Sequence, residues 1–566
     1  MTTHDGPAHT HPNLAVLNEA TARLTGPGAP WEVVEEDVRG ERMGVLRNRA
    51  RSLRELLINS FEFGDRPSMM FDDGRVVTFA GFEADVASTA AWLQREHGIG
   101  HGDRVAICGA NSYGWIVSFW ALLSMGAVNV AMNGWWTEGE MQHAIDLTEP
   151  KLLLFDARRA ERLSPSVTIP RRDLDEDLAE MLSYAPDAPL PSNHIDEDDA
   201  AILIFTSGTT GRPKAAVLSQ RSVIHYSTLQ NFIGARGALM AGITGGSGGP
   251  PPTRLAVFPL FHVSGLGATV NSIHTGTPGA WYTKRFEADA VIDFIIANKV
   301  NVIGGTGTHI LRLVDSERCG EIPPGQILSV GMGGSATTPE IIRRVVDRFP
   351  HLDHTMSTGY GSTETGSLVS FATNWMLEAS PECIGPELPT CQVTIRDDTG
   401  TVLPEGAEGN ICVRSPLLMN EYFRHPQANA EAFFPGRWFN TGDFGRMENG
   451  VVYIATRKRD LIIRGGENIY PFEVENCIEE IPGVIETAVI GVDHDVLGQE
   501  VKAIIVVDAD STLTDLDVHE HCKAQLSGYK VPAYVELRTE RLPRNPSGKI
   551  LKHVLADGGE AGFVEE

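Results

Sequence analysis

The sequence predicts an α/β protein, because short apolar runs bounded by glycine or proline alternate with segments of helical periodicity. Six runs are strand candidates: residues 105–110, 152–155, 201–205, 255–260, 300–303 and 327–332. Many of them are continuously apolar, as in strands that are covered on both faces. At 566 residues the chain is too long for one core. We therefore expect a large N-terminal domain of stacked mixed sheets with helices, followed by another domain.

A small, mobile α+β domain is expected after about residue 460. Four apolar residues recur there at helical spacing behind a proline at a helix start, namely Val474, Cys477, Ile478 and Ile481 after Pro471. Residues 484–492 and 502–507 have the character of strands, and residues 516–526 that of a helix. A charged run, 457–460, precedes them. The expected division is 1–457 and 461–566, with a hinge at 458–460.

Composition restricts the partners. The formal net charge of −27 and a pI near 5.1 argue against a nucleic acid or an anionic membrane surface, which favour basic patches. The seven cysteines are odd in number, scattered and without a C-x-x-C pair. That pattern is typical of reduced thiols in a cytoplasmic enzyme.

One stretch could be mistaken for a membrane segment. Between Arg104 and Glu138 the chain has no charged residue, and it carries four tryptophans there. Glycine and asparagine interrupt the run, however. We expect a helix at about 115–125 that stops at Gly126, then a strand at 127–132, and no integral membrane segment.

The first chemical motif is Thr-Ser-Gly-Thr-Thr-Gly-Arg-Pro-Lys at 206–214, directly after an apolar strand. Glycines leave backbone N–H groups uncovered, and hydroxyls and a lysine add donors, so such a loop can surround phosphate oxygens. Its glycine spacing excludes a Walker A loop. By composition alone it could equally be a plain turn.

The string resembles the phosphate loop of the adenylate-forming superfamily: acyl-CoA synthetases, firefly-type luciferases and the adenylation domains of peptide synthetases. Other segments match in order and spacing between about residues 78 and 552. They are 258–262 (FPLFH), 331–336, 360–366 (YGSTETG), 438–443 (WFNTGD), 457–471 and 543–549 (PRNPSGK). Together they make a chance match negligible.

The resemblance implies an ATP site. Its phosphate-loop residues would be Thr206, Ser207, Gly208, Thr209, Thr210, Gly211 and Lys214. The other nucleotide residues would be Gly334, Ser335, Ala336, Tyr360, Gly361, Asp443 and Arg457, with Asp443 accepting the ribose hydroxyls. Glu364 and Thr209 would help to hold Mg²⁺, a cation that prefers oxygen ligands.

The same resemblance implies the catalytic groups Lys549, Thr363 and Glu364. A carboxylate that attacks the α-phosphorus brings two anions together, so cations and N–H donors must stabilise the developing charge. Lys549 would bridge the substrate carboxylate and the α-phosphate. Viewed alone, a lysine after Ser-Gly is usually a solvated loop residue.

The acyl group would lie against His262, Val263, Gly333 and Gly334, although His262 could also be a hydrogen-bonded core histidine. The three segments placed there, 258–273, 302–308 and 329–338, contain no charged residue and many glycines, about half of which would serve turns. We therefore expect an acid with an apolar body of medium or greater size, long-chain, aryl or alicyclic, and not an amino acid.

Coenzyme A would approach along Gly465 and Gly466, after the small domain has rotated about a hinge at Arg459. The sequence departs from the family pattern at Gln220, Thr456 and Arg459, and the last two make the pivot less secure. The chain ends soon after Lys549, so no carrier domain is expected behind it.

These features predict an acid–thiol ligase that uses ATP, Mg²⁺ and coenzyme A to activate a small-molecule carboxylic acid. The alternatives are a ligase that loads a free-standing carrier protein, a luciferase-like oxygenase and a non-enzymatic nucleotide sensor. CoA-dependent AMP release distinguishes the expected ligase from one that loads a carrier protein. Oxygen-dependent turnover would indicate a luciferase-like oxygenase instead. A sensor would be expected to lack Lys549 or Asp443. A homodimer is left open.

Overall fold

The computed structural model describes residues 12–206, 213–243, 251–333, 339–352, 356–380, 382–457, 460–464, 467–494, 496–544 and 550–556. Helices and strands are numbered in chain order. The predicted α/β class with mixed sheets is confirmed.

The first large sheet has six strands. They are β5 (Arg104–Cys108), β6 (Val128–Ala131), β7 (Leu152–Phe155), β8 (Arg171–Asp173), β9 (Ala200–Thr206) and β10 (Lys214–Ser219). The order is β10-β9-β6-β5-β7-β8, antiparallel between β10 and β9 and parallel elsewhere. The antiparallel turn from β9 to β10 is where the predicted phosphate loop lies.

The second large sheet has eight strands. They are β3 (Pro67–Phe71), β4 (Val76–Thr78), β11 (Thr253–Ala256), β12 (Gly279–Trp281), β13 (Val300–Gly305), β14 (Ser329–Met332), β15 (Ser357–Tyr360) and β16 (Ser370–Thr373). The order is β16-β15-β14-β13-β11-β12-β3-β4, with antiparallel edges and a parallel centre. The carboxyl ends of β13, β14 and β15 therefore meet at one edge, the usual place for a ligand in a parallel sheet.

Helices pack with both sheets in one core. They include α2 (Leu53–Asn59), α3 (Phe79–His97), α4 (Tyr113–Ser124), α8 (Gln220–Met240) and α9 (Val263–Thr275). Every residue of α4 is buried, Ser112 caps its first turn, and Gly126 at φ +75° follows its end. Burial inside the protein therefore explains the uncharged, tryptophan-rich stretch. In the described part of the chain, no helix combines the length and the apolar character that crossing a bilayer requires.

An antiparallel sheet and a hairpin complete the large part. Their strands are β1 (Val33–Val38), β2 (Glu41–Leu46), β17 (Cys383–Pro386), β18 (Gln392–Arg396), β19 (Gly409–Arg414), β20 (Phe433–Phe434), β21 (Trp438–Glu448) and β22 (Val451–Arg457). The remaining helices are α1 (Pro12–Thr25), α5 (Glu138–Thr148), α6 (Ala157–Ala160), α7 (Leu178–Ser183), α10 (Ala288–Ala297), α11 (Gly307–Asp315), α12 (Pro339–Arg348), α13 (Asn374–Ala379) and α14 (Pro426–Ala432).

The C-terminal elements form a separate five-stranded sheet with helices. They are β23 (Ile462–Arg464), β24 (Glu467–Ile469), α15 (Pro471–Glu479), β25 (Val484–His494), β26 (Gly498–Val507), α16 (Asp515–Gln525), β27 (Tyr534–Arg538) and α17 (Lys552–Ala556). This sheet has an apolar core of its own, into which α15 and α16 pack. Cys477 and Cys522 lie in that core, and all seven cysteines of the chain are buried free thiols.

Candidate active site

A cavity of about 920 Å³ lies between the large part of the protein and the C-terminal sheet. Tyr360, Gly361 and Asp443 line it from the large part. The opposite wall carries charged residues of the C-terminal part, among them Glu475, Glu486, Arg544 and Lys552. The volume is within the range of small-molecule sites, and three predicted nucleotide residues meet there.

Tyr360 and Asp443 are joined at this cavity by a hydrogen bond. Tyr360 is the last residue of β15, and Asp443 lies in β21 with only 4% of its surface exposed. The Tyr360 hydroxyl donates to Oδ2 of Asp443 at 2.6 Å. In the backbone register of β21 and β22, Asp443 is opposite Arg457. The structure thus brings Tyr360 to Asp443 from a strand that is distant in sequence.

Thr363 and Glu364 lie in the turn after β15. The Gly366 amide donates to the Thr363 carbonyl at 3.1 Å, and the Met419 amide donates to the Glu364 carbonyl at 2.9 Å. Gly361 is required by this turn, because a Cβ there would stand 2.4 Å from the Ser367 carbonyl oxygen. The turn is therefore closely packed.

Tyr422 connects two predicted phosphate-site residues and was missed by the sequence analysis. Its hydroxyl donates to Oε1 of Glu364 at 3.0 Å, and Nζ of Lys214 lies 5.1 Å from its ring centroid. Burial and the Glu364 carboxylate raise the pKa of Tyr422, so the phenol stays protonated. Tyr422 reaches this place because it forms an isolated β-bridge with Ala216 of β10. No local sequence pattern shows that pairing.

Several predicted residues lie outside the described residues. They are Ser207, Gly208, Thr209, Thr210, Gly211, Gly334, Ser335, Ala336, Arg459, Gly465, Gly466 and Lys549. The two ends of the phosphate loop are described: Thr206 ends β9, Lys214 begins β10, and the two are direct partners in the antiparallel pair. The loop thus starts and finishes at one point of the sheet.

Glu364 fits a role in holding Mg²⁺. Within the described ranges there is no group of three His, Cys, Asp or Glu side chains arranged for a metal. Mg²⁺ at phosphate sites commonly takes only one or two carboxylates and completes its shell with water and phosphate oxygens. One Glu364 oxygen accepts from Tyr422, which fixes the carboxylate for such a role.

His262 and Val263 begin α9, with His262 at the N-cap. Burial lowers the pKa of His262 to about 4, so the ring is neutral near pH 7. Its Nε2 is buried and finds no hydrogen-bond partner among the described residues. Asn111, also missed from sequence, holds the preceding segment by accepting from the Leu260 amide and donating to the Phe258 carbonyl. His262 is not a fully hydrogen-bonded core histidine.

The glycines of the predicted acyl segments fall into two groups. A Cβ at Gly265 would stand 2.2 Å from the Pro259 carbonyl oxygen, and one at Gly267 would stand 2.4 Å from the Tyr226 ring, so these two serve packing. A Cβ at Gly304, Gly331 or Gly333 would meet nothing within 4 Å. Gly304 and Gly331 are direct partners in β13 and β14, so these two open positions lie side by side in the sheet.

Comparison with known proteins identifies the family. The model of the AMP-binding enzyme family matches residues 59–423, and that of the AMP-binding enzyme C-terminal domain matches residues 473–549. The chain belongs to the AMP-binding enzyme family. The predicted membership of the adenylate-forming superfamily and the prediction of an acid–thiol ligase are thereby confirmed.

Three relatives illustrate the range of this family. The 2-succinylbenzoate–CoA ligase of Bacillus licheniformis is 32% identical over 87% of this chain and 96% of its own. The long-chain-fatty-acid–CoA ligase FadD13 of Mycobacterium tuberculosis is 30% identical over 85% and 93%. The structure of o-succinylbenzoate CoA synthetase from Bacillus subtilis, in complex with the acyl-adenylate intermediate, superimposes with a TM-score of 0.75 at 27% identity, over 90% of this chain and 98% of its own.

Proposed function

We propose that this AMP-binding enzyme is an ATP-dependent acyl-CoA synthetase. In the first half-reaction a carboxylate oxygen attacks the α-phosphorus of ATP and expels pyrophosphate, which leaves an acyl-adenylate. In the second, the thiol of coenzyme A attacks the acyl carbon, AMP departs and the thiol proton is released. The names of the relatives support this reaction, because each is a CoA ligase acting on a carboxylic acid.

The observation that carries the proposal is the position of two residues that flank Lys549. Arg544 and Ile550, on either side of residues 545–549, form an antiparallel β-bridge. Both line the same cavity as Tyr360 and Asp443. This position supports a role for Lys549 at the proposed nucleotide site, as the first half-reaction requires.

The predicted residues would divide the work of that site. Asp443, oriented by Tyr360, would accept the ribose hydroxyls. Lys214 and Glu364, both fixed by Tyr422, would contact the phosphates and Mg²⁺ respectively. Mg²⁺ would offset phosphate charge when bound. Thr363 would donate to the α-phosphate, and Lys549 would stabilise charge between the two reacting anions.

The second half-reaction is proposed to follow a domain rotation. Residues 461–566 would turn about a hinge at 458–460, with Arg459 as the pivot, and would exchange Lys549 for Gly465 and Gly466 at the site. Two catalytic faces on one mobile domain need such a hinge. The acid is proposed to have an apolar, aryl or alicyclic body, in line with relatives named for succinylbenzoate and for long-chain fatty acids.

The test is a panel of carboxylic acids assayed by ATP–pyrophosphate exchange and then, with CoA, by AMP release. Exchange together with CoA-dependent AMP release is the expected result. Exchange without a response to CoA would favour a carrier-protein ligase, and oxygen-dependent turnover with light would favour a luciferase-like oxygenase. ATP binding without exchange for any acid would contradict the proposal in favour of a sensor.

A further inference from the structure

Two ion pairs hold the flanks of the segment that contains Lys549. On one side, Arg544 pairs with Oε2 of Glu486. On the other, Nζ of Lys552 lies 2.6 Å from Oε1 of Glu475. All four side chains line the cavity between the two parts of the protein. The described residues on both sides of 545–549 are therefore bound by carboxylates.

Each of these carboxylates is itself fixed to the C-terminal sheet. The Val489 amide of β25 donates to Oε1 of Glu475 at 2.7 Å, although Glu475 belongs to α15. Glu486 belongs to β25 and accepts from the Leu542 amide at 2.9 Å. Glu475 and Glu486 retain 13% and 8% of their side-chain exposure, so water screens these pairs only weakly. A charge-assisted bond in such a place is stronger than one at the surface.

We propose that Glu475 and Glu486 are positioning residues that hold Lys549 at the α-phosphate during adenylation. The proposal rests on the proposed function, since it assigns them to the first half-reaction. A flexible lysine on an unsupported loop would lose conformational freedom on reaching the reacting anions. Fixing both flanks of Lys549 to the C-terminal sheet reduces this loss of conformational entropy. It also limits misplacement of the lysine, and a misplacement of about 1 Å can slow a reaction about 100-fold.

A merely structural role is the alternative. The C-terminal sheet contains a comparison pair, Lys502 and Glu536, with an N–O distance of 2.7 Å. Neither lines the cavity. Replacement of Glu536, whose side chain is 42% exposed, removes an ion pair of similar length from the same sheet without touching the flanks of Lys549, which makes it the control for loss of a charge pair elsewhere in this sheet.

The experiment compares Glu475→Gln, Glu486→Gln and Glu536→Gln in the full chain, with both half-reactions measured separately. We expect the first two to lower the kcat of pyrophosphate exchange at least about tenfold, by loss of positioning. Thioester formation from supplied acyl-adenylate and CoA should change less than about twofold, because Lys549 acts in adenylation only. Glu536→Gln should leave both half-reactions unchanged.

A second readout uses the Lys549→Ala background. There, Glu475→Gln and Glu486→Gln should cause no further loss of exchange, because no lysine is left to position. Equal losses in both half-reactions, further losses in that background, or unchanged exchange would each overturn the inference. If Glu475→Gln does not fold, a double variant that exchanges the two charges, Glu475→Lys with Lys552→Glu, is used in its place. Restored exchange then supports the inference, and a folded protein without exchange contradicts it.

Failure of the proposed function has a different signature. If the wild-type protein shows no pyrophosphate exchange with any acid of the panel, the proposed acyl-CoA synthetase function itself is rejected. A wild-type protein that exchanges normally, with unaffected Glu475→Gln and Glu486→Gln variants, would reject only the positioning role.

Discussion

The Tyr360 hydroxyl donates a 2.6 Å hydrogen bond to Asp443 at the cavity between the two parts of the protein. The bond joins the end of β15, in the eight-stranded sheet, to β21 of the antiparallel sheet. It orients the carboxylate proposed for the ribose hydroxyls and fixes the Tyr360 ring beside it.

Replacement of Tyr360 by Phe keeps the ring and removes this bond. A hydrogen bond to a charged group contributes about 1.5–3 kcal/mol, so we expect the KM for ATP to rise roughly 10- to 150-fold with a smaller change in kcat. Steady-state kinetics over a range of ATP concentrations measures it. Tyr184→Phe, which removes a surface tyrosine–carboxylate bond to Glu96, should leave KM unchanged. An unaltered KM in Tyr360→Phe would refute a role for the bond in ATP binding.

Lys549→Ala should slow adenylation far more than thioester formation. Loss of an electrostatic contact in the transition state costs roughly 3–4 kcal/mol, or about 10²- to 10³-fold in pyrophosphate exchange. Thioester formation from supplied acyl-adenylate should be spared, because that step does not involve the α-phosphate attack. Equal damage to both half-reactions would be incompatible with the proposed two-state use of the small domain.

Tyr422→Phe separates the two contacts of that side chain. The variant keeps the ring beneath Lys214 but removes the hydrogen bond to Glu364. We expect the Mg²⁺ concentration for half-maximal exchange to rise about three- to tenfold, as for loss of about 1 kcal/mol. Tyr422→Leu, which also removes the ring, should affect ATP and Mg²⁺ dependence together. Identical Mg²⁺ titrations of Tyr422→Phe and wild type would argue against the proposed metal role of Glu364.

His225 should make stability depend on pH. Burial and the nearby cation Arg49 lower the pKa of His225 to about 3. The unfolded chain takes up this proton below its ordinary pKa of about 6.5, so stability is lost as pH falls from about 6.5 toward 3. Between pH 7.5 and 5 the loss from this group is about 2 kcal/mol.

Urea unfolding of wild type and His225→Gln at pH 7.5 and pH 5 measures that contribution. The variant is expected to be less stable at pH 7.5, yet to lose about 2 kcal/mol less than wild type on acidification. Buried His262 and His274 titrate in both proteins and cancel in the comparison. An equal pH response in the two proteins would refute the assignment.

The sequence predicted the sheet strands well where they are continuous apolar runs, because burial on both faces leaves a strong local signal. It placed the end of β11 at residue 260, whereas the strand stops at Ala256. The residues that follow form a turn held by Asn111, and that contact spans about 150 positions of the chain, which no local pattern reveals. Tyr422 was missed for the same reason.

Glycine shows a second limit of sequence reasoning. The many glycines of the acyl segments predict room for a large acid, although about half of them are expected to serve turns. Gly265 and Gly267 instead allow a carbonyl and a tyrosine ring to approach closely, whereas Gly304 and Gly331 do border open space. Both uses remove a side chain, so composition cannot separate them; only the neighbours across the fold can.

The open space also predicts the size and charge of the acid. Gly304 and Gly331 are adjacent open positions in β13 and β14, and Gly333, just beyond β14, is open as well, which suits an aryl, alicyclic or extended aliphatic body. The three acyl segments, 258–273, 302–308 and 329–338, contain no carboxylate. A buried α-ammonium group there would lack a counter-charge, which is strongly unfavourable. We expect octanoate-to-palmitate, aryl or alicyclic acids to exceed acetate in kcat/KM by at least about tenfold, or about 1.4 kcal/mol, and free amino acids to be inactive.

Gly304→Val and Gly331→Val should each narrow that ratio by slowing the large acids more than acetate, while Gly139→Ala, at an exposed position in α5, should not change it. A wild-type preference for acetate or for any amino acid would show that this open space is not the acyl site.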